Sequence, residues 1–232
     1  MTDGKIKRDA RQYWAILKKD LMLELRSKDV VTSTFLFSVM ALVIFYFAFS
    51  PNVKDLTMVA AGMLWVAVLF TSLLGLNRSF VHEKEEECLD GLLLSPVDRP
   101  VIFVAKFSGN FIFLIVLEAV IVPIFSLFFL KGMAATGWLE LILILLLGNI
   151  GMCGVGTLLA TISANTRAKD LLLPILYLPV MTPFMMQVVS YTNAVFVGKG
   201  TGDMTSWLYL VIGFDIIFLL AGYALYDFVI GE

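Results

Sequence analysis

Charge is scarce in this sequence, and long stretches carry none. Charged residues make up 16% of 232 positions and hydrophobic residues 59%, whereas an ordinary soluble domain has roughly 25% charged residues. Mean hydropathy is +0.91, which points to an integral membrane protein. A net charge of −2 leaves no surplus of cations to hold a polyanion, so nucleic-acid binding has no electrostatic footing. Histidine occurs once, at His82, so one copy cannot supply a pair of histidines to a metal ion. Cysteine occurs twice: Cys88 stands in a polar stretch and Cys153 in an apolar run, so both are expected as free thiols. No GxxxxGK[ST] loop is present to cradle nucleotide phosphates, so any ATP must be held by another chain. GxSxG and HExxH are missing as well, which argues against an intramembrane hydrolase. Strict polar–apolar alternation is lacking, which excludes a barrel. Residues 1–29 are mixed and polar with no secretory pattern, so the first apolar run is expected to stay in the mature protein.

What is present is a set of apolar runs. A spanning helix needs about 20 apolar residues to cross a hydrocarbon core of roughly 30 Å, and six runs qualify: Val30–Phe49, Leu56–Leu76, Phe107–Leu130, Leu139–Ile162, Leu171–Tyr191 and Trp207–Ile230. An all-α, polytopic membrane protein with six transmembrane helices is the expected fold class. Of 17 Lys and Arg residues, only Lys54, Lys131 and Lys199 fall outside the N-terminal segment and the second and fourth connections. By the positive-inside rule both termini and the stretch 77–106 face the cytoplasm.

The N-terminal segment repeats Ile6, Ala10, Tyr13, Trp14, Leu17, Leu21 and Leu25 at intervals of three or four, with cations on other faces. This predicts an amphipathic helix at the membrane interface; a plain stop-transfer flank would carry similar cations. The stretch 77–106 is the other departure from apolar monotony. HEKEEE is too charged for lipid, and Leu89, Leu92, Leu93 and Leu94 then precede Pro96 and Pro100. The spacing predicts a short cytoplasmic amphipathic helix ending near Ser95, where prolines stop it. Tethered to membrane helices at both ends, such an element can pass a push from a soluble partner to the bundle.

Within the runs, Glu118, Asn149 and Asp215 are the polar candidates, because acids inside a membrane are expensive and turn toward the bundle interior. Gly148, Gly151, Gly154 and Gly156 give one helix the small residues that allow close helix packing. Pro174, Pro179 and Pro183 should kink or break the fifth span. Met181, Met185 and Met186, at helical spacing, read as packing or lipid-facing residues rather than ligands.

A second span ending in LNRSF, then acids, then LDGLLLSPVDRP and a following AK resembles the haem exporter protein B (CcmB) family, the permease of the cytochrome c maturation ABC transporter. The likeness extends to chain length, six spans, a short first hairpin, the glycines of the fourth span and the prolines of the fifth. Related ABC-2-type permeases place a glycine where Glu87 stands and a glutamate where Asp90 stands. The resemblance implies a bacterial inner-membrane permease that is not itself an enzyme. It further implies a separate ATPase (CcmA) docking on Phe80, Glu83, Glu85, Glu86, Glu87, Leu89, Asp90, Leu92, Leu93 and Pro96. CcmC, CcmD and the periplasmic haem chaperone CcmE would be further partners, with haem as the handled ligand, its axial ligands supplied by a partner, and ATP on the partner. An exporter of a lipid-linked glycan or drug, and a non-transporting scaffold beside a haem-binding subunit, stay open at this level.

Overall fold

The computed structural model describes residues 2–26, 28–49, 57–85, 97–130, 135–164, 169–198 and 205–229. Among them are seven helices and no strand: α1 (Thr2–Arg26), α2 (Lys28–Phe49), α3 (Thr57–Glu85), α4 (Arg99–Phe129), α5 (Ala135–Ala164), α6 (Lys169–Val197) and α7 (Thr205–Val229). Helices α2 to α7 contain six segments long and apolar enough to cross a membrane. In lipid every backbone amide and carbonyl has to be satisfied within the chain, and a continuous helix does this without any neighbour.

The spans are not equivalent. Burial reaches 67% along α3 and 72% along α5, against 17% along α2 and α7. Helix α5 packs on α3, α4, α6 and α7, while α3 packs on α2, α4, α5 and α6. These two form the interior. The others surround them and present Leu36, Met40, Phe47, Ile175, Met186, Ile217 and Phe228 outward. Met181, by contrast, is fully buried.

Side-chain size decides how closely the helices approach. A Cβ at Gly148 would fall within the ring of Trp65, and one at Gly156 would run into Leu76, so both glycines let α5 sit against α3. Gly151 opens toward Phe184 of α6 and Asp215 of α7, whereas Gly154 has only ordinary contact with Leu219. Trp65, 1% exposed, donates its indole N–H to Thr192 Oγ1 of α6 at 2.8 Å. Ser38 and Thr71 join their hydroxyls between α2 and α3, and Ser72 meets the Tyr177 hydroxyl at 3.1 Å between α3 and α6.

Four prolines behave differently from their sequence expectation. Pro100 lies in the first turn of α4 and opens the helix instead of stopping one, because an N–H at that position has no helical acceptor to lose. Helix α6 runs unbroken through Pro174, Pro179 and Pro183. Each proline forfeits one hydrogen bond, but a full break in an apolar medium would strand several more carbonyls.

Candidate functional site

Two regions concentrate polar chemistry: the foot of the bundle around the 77–106 stretch, and a row of side chains inside it. At the foot, α3 does not end with its apolar run at Leu76. It continues as helix through Asn77 to Glu85, about two and a half further turns. Phe80, His82, Glu83 and Glu85 therefore ride on a continuation of a spanning helix, so a force applied there acts directly on α3. Glu86, Glu87, Cys88, Leu89, Asp90, Leu92, Leu93 and Pro96, with the short helix expected to end near Ser95, lie outside the described residues.

The chain is described again from Val97, and there the foot is tightly strapped. Lys5 Nζ of α1 lies 2.9 Å from Asp98 Oδ2, and Arg8 stands 4.0 Å from the same oxygen. The hydrogen bond from Lys5 holds the Asp98 carboxyl below its ordinary pKa, and the same bond raises that of Lys5. Arg99 reaches across to the C-terminal end of α7, with Nη1 donating to the Asp227 carbonyl at 2.6 Å and lying 3.2 Å from Asp227 Oδ1. Ile16 of α1 packs with Ile102, Phe103 and Ala105 of α4 and Tyr226 of α7, and a Cβ at Gly109 would touch Leu17 and Asp20.

The firmest link is buried. Lys106 Nζ, 3% exposed, lies 3.3 Å from Asp20 Oδ2, and Lys19 Nζ lies 3.0 Å from Asp20 Oδ1. Sequence reasoning counts Lys106 only as a topology cation. The signal that could have exposed it is Asp20 itself, an acid on the helix face that carries Tyr13 and Leu17.

Above this pair a polar row continues between α4 and α5. Asn110 Nδ2 donates to Thr157 Oγ1 at 3.1 Å, and Thr161 Oγ1 donates to the Tyr226 hydroxyl at 3.3 Å. Cys153 is buried and free. At the upper end Asn149 Nδ2 donates to Glu118 Oε2 at 2.7 Å. Asn149, Cys153, Thr157 and Thr161 recur every fourth residue of α5, so one face of an otherwise apolar helix carries them all. The structure thus brings Glu118 and Asn149 together and gives Glu118 an amide rather than a cation as neighbour.

Asp215 stays apart. It is 4% exposed, lies beside Gly151 and Phe184, and neither of its carboxylate oxygens has a hydrogen-bond partner among the described residues. Phe184, Phe214 and Phe218 form a run of rings next to it, with centroids 4.5 and 4.4 Å apart. Among the described residues no group of three His, Cys, Asp or Glu side chains could hold a metal ion.

The family model described as CcmB protein matches residues 11–229. The chain belongs to the CcmB family. Its relatives include the protein named heme exporter protein B of Rhodobacter capsulatus, 28% identical over 172 residues that cover 74% of this chain and 78% of the relative. The protein of the same name in Haemophilus influenzae is 25% identical over 182 residues, covering 78% of this chain and 81% of the relative. That of Pseudomonas aeruginosa is 25% identical over 193 residues, covering 83% and 86%. The matched region of this CcmB-family chain takes in most of α1 and all six spans, so the polar row lies within it, as does the foot apart from Lys5 and Arg8. It is a multi-pass membrane protein.

Proposed function

We propose that this chain is the permease subunit of a bacterial inner-membrane ABC transporter that handles haem for cytochrome c maturation, with both termini in the cytoplasm. Membership of the CcmB family carries the reading, together with relatives named for heme export. ATP is bound and hydrolysed on a separate CcmA-like subunit, which docks on the segment from Phe80 to Pro96. Acids at Glu83, Glu85, Glu86, Glu87 and Asp90 set charge complementarity, and Leu89, Leu92 and Leu93 make the mechanical contact. The helical continuation of α3 to Glu85 supports this, since a docked subunit would then act on a central helix of the bundle. The strap of α1, α4 and α7 around Asp98 and Arg99 supports a second lever on the other side of the segment.

Haem is the handled ligand, with ATP hydrolysis coupled to its transfer or to release of the haem-loaded chaperone; its axial ligands come from a CcmC-like partner, with CcmD-like and CcmE-like subunits completing the route. The single histidine, at a helix end far from the polar row in sequence, and the packing role of Met181 support this division of labour. Glu118 with Asn149, and Asp215, line or brace the interior rather than ligate iron.

Copurification tests the reading. The ATPase is expected to come down with the wild-type chain and to be lost from the Leu89→Asp variant and from a charge reversal across Glu83, Glu85, Glu86 and Glu87, while the bundle stays folded. Retention of the ATPase by both variants removes the docking claim. Haem titrated into the purified chain alone should yield no stoichiometric six-coordinate spectrum; if it does, ligation by a partner is wrong.

A further inference from the structure

The outward face of α1 carries a pattern unlike the rest of the helix. Two of its acids are turned inward or paired: Asp20 is buried against Lys106, and Asp9, half-buried, lies 3.6 Å from Arg8. Its large apolar side chains Ile16 and Leu17 are buried, at 5% and 3% exposure. Lys7, Arg11, Trp14, Lys18 and Met22 are all exposed and spaced by four, three, four and four residues, so that they form one stripe along the helix. Trp14 is 64% exposed. Lys7, Arg11 and Lys18 have no ion-pair partner among the described residues. Beside the upper part of the stripe, Ala15, Lys18, Lys19, Met22 and Leu23 line an open groove of about 340 Å³ with cations at its rim.

The level of this stripe is set by α4. Asp20 meets Lys106, the last polar residue before the apolar run that opens at Phe107, and Leu17 lies against Gly109. Lys18 and Met22 therefore stand where α4 passes from charged to apolar, and Arg11 and Lys7 lie further out toward Asp98, to which Lys5 is bound. Cations, an interface-seeking indole and a methionine in one row at that level match a bilayer surface: ammonium and guanidinium groups among phosphates, apolar members dipping toward the acyl chains.

We propose that the Lys7–Arg11–Trp14–Lys18–Met22 stripe is a binding surface for anionic phospholipid headgroups, so that α1 reports the charge of the leaflet to the foot of α4. Anionic rather than zwitterionic lipid is specified by the charge complementarity, three cations without an ion-pair partner among the described residues and no acid in the row from Lys7 to Met22. An acidic protein face would satisfy the cations but leave Trp14 and Met22 without a role.

The test uses the full chain in nanodiscs of phosphatidylcholine containing an equal mole fraction of either phosphatidylglycerol or phosphatidylcholine with brominated tails. The emission of Trp14 is isolated as the difference between wild type and Trp14→Phe. Brominated phosphatidylglycerol should quench that emission at least about twofold more than brominated phosphatidylcholine. The Lys7→Gln/Arg11→Gln/Lys18→Gln variant should bring the two to parity, and raising salt from about 0.1 to about 0.5 M should narrow the difference. Inorganic phosphate should leave the preference standing. Parity in the wild type, or an undiminished preference in the triple variant, overturns the proposal. Loss of the preference in inorganic phosphate would make the stripe a free-phosphate site, and parity together with loss of a copurifying ATPase from the triple variant would make it a protein contact; both overturn the lipid assignment.

Discussion

Replacing Asp20 with leucine is expected to destabilise the full chain by about 3–5 kcal/mol, read as a lowered melting temperature in detergent. The variant leaves Lys106, only 3% exposed, facing a side chain that cannot answer its charge. The cost arises less from the lost attraction than from a cation held away from water after the carboxylate at 3.3 Å is removed. Lys106→Met should be milder, because Asp20 keeps Lys19 at 3.0 Å and Lys19 is 34% exposed. The double variant Asp20→Leu/Lys106→Met should recover most of the loss, since both members of the pair are then removed together. A double variant as unstable as the sum of its parts would mean that the two residues do not act as a pair. Local unfolding should follow the same order: α1 amides ought to exchange faster in Asp20→Leu than in the double variant, because this pair and the Ile16 cluster are what seat α1 on α4.

Trp65→Ala should cost about 3–5 kcal/mol, for a different reason. The indole is fully enclosed between α3, α5 and α6, and its removal leaves a void and takes away the N–H donated to Thr192 Oγ1, whose own hydroxyl still donates to the Val188 carbonyl at 2.7 Å. Lipid tails are as apolar as the lost ring, so the penalty comes from forfeited packing and a hydrogen bond, with little from transfer. Gly148→Ala supplies the complementary arm. In the wild type the added methyl enters the space of the ring and should cost about 1–3 kcal/mol. In the Trp65→Ala background it should be neutral or stabilising, because it grows into the void. Equal penalties in both backgrounds, measured by thermal melting, would show that Gly148 is not small on account of Trp65.

These two sites mark where reading along the chain succeeds and where it stops. The glycines of α5 are visible in the sequence as a motif, but which of them is pressed against a neighbour is not. Gly148, Gly151 and Gly156 face Trp65, Phe184 and Leu76, while Gly154 faces only a loose Leu219. Glu118 and Asn149 each stand out as polar residues in apolar runs. That they meet at 2.7 Å depends on the relative rotation and height of α4 and α5, which no single-helix pattern encodes. Lys106 is legible as a charge yet not as a buried one, because its burial is made by α1 folding back from residues far away in sequence.

The sequence by itself determined that the chain is helical and crosses a membrane six times, because continuous apolar runs in lipid have no other way to satisfy their backbone. It also determined where charge can stand, and so the polar stretch after the second span and the basic amphipathic helix before the first. Only the tertiary structure decided that α3 and α5 lie at the centre and that α3 carries the acidic stretch onward as helix to Glu85. The same holds for the seating of α1 on α4, which puts its apolar face against protein and its cations outside. Periodicity records which side of a helix is apolar, but whether that side meets lipid or another helix depends on which surfaces fit together.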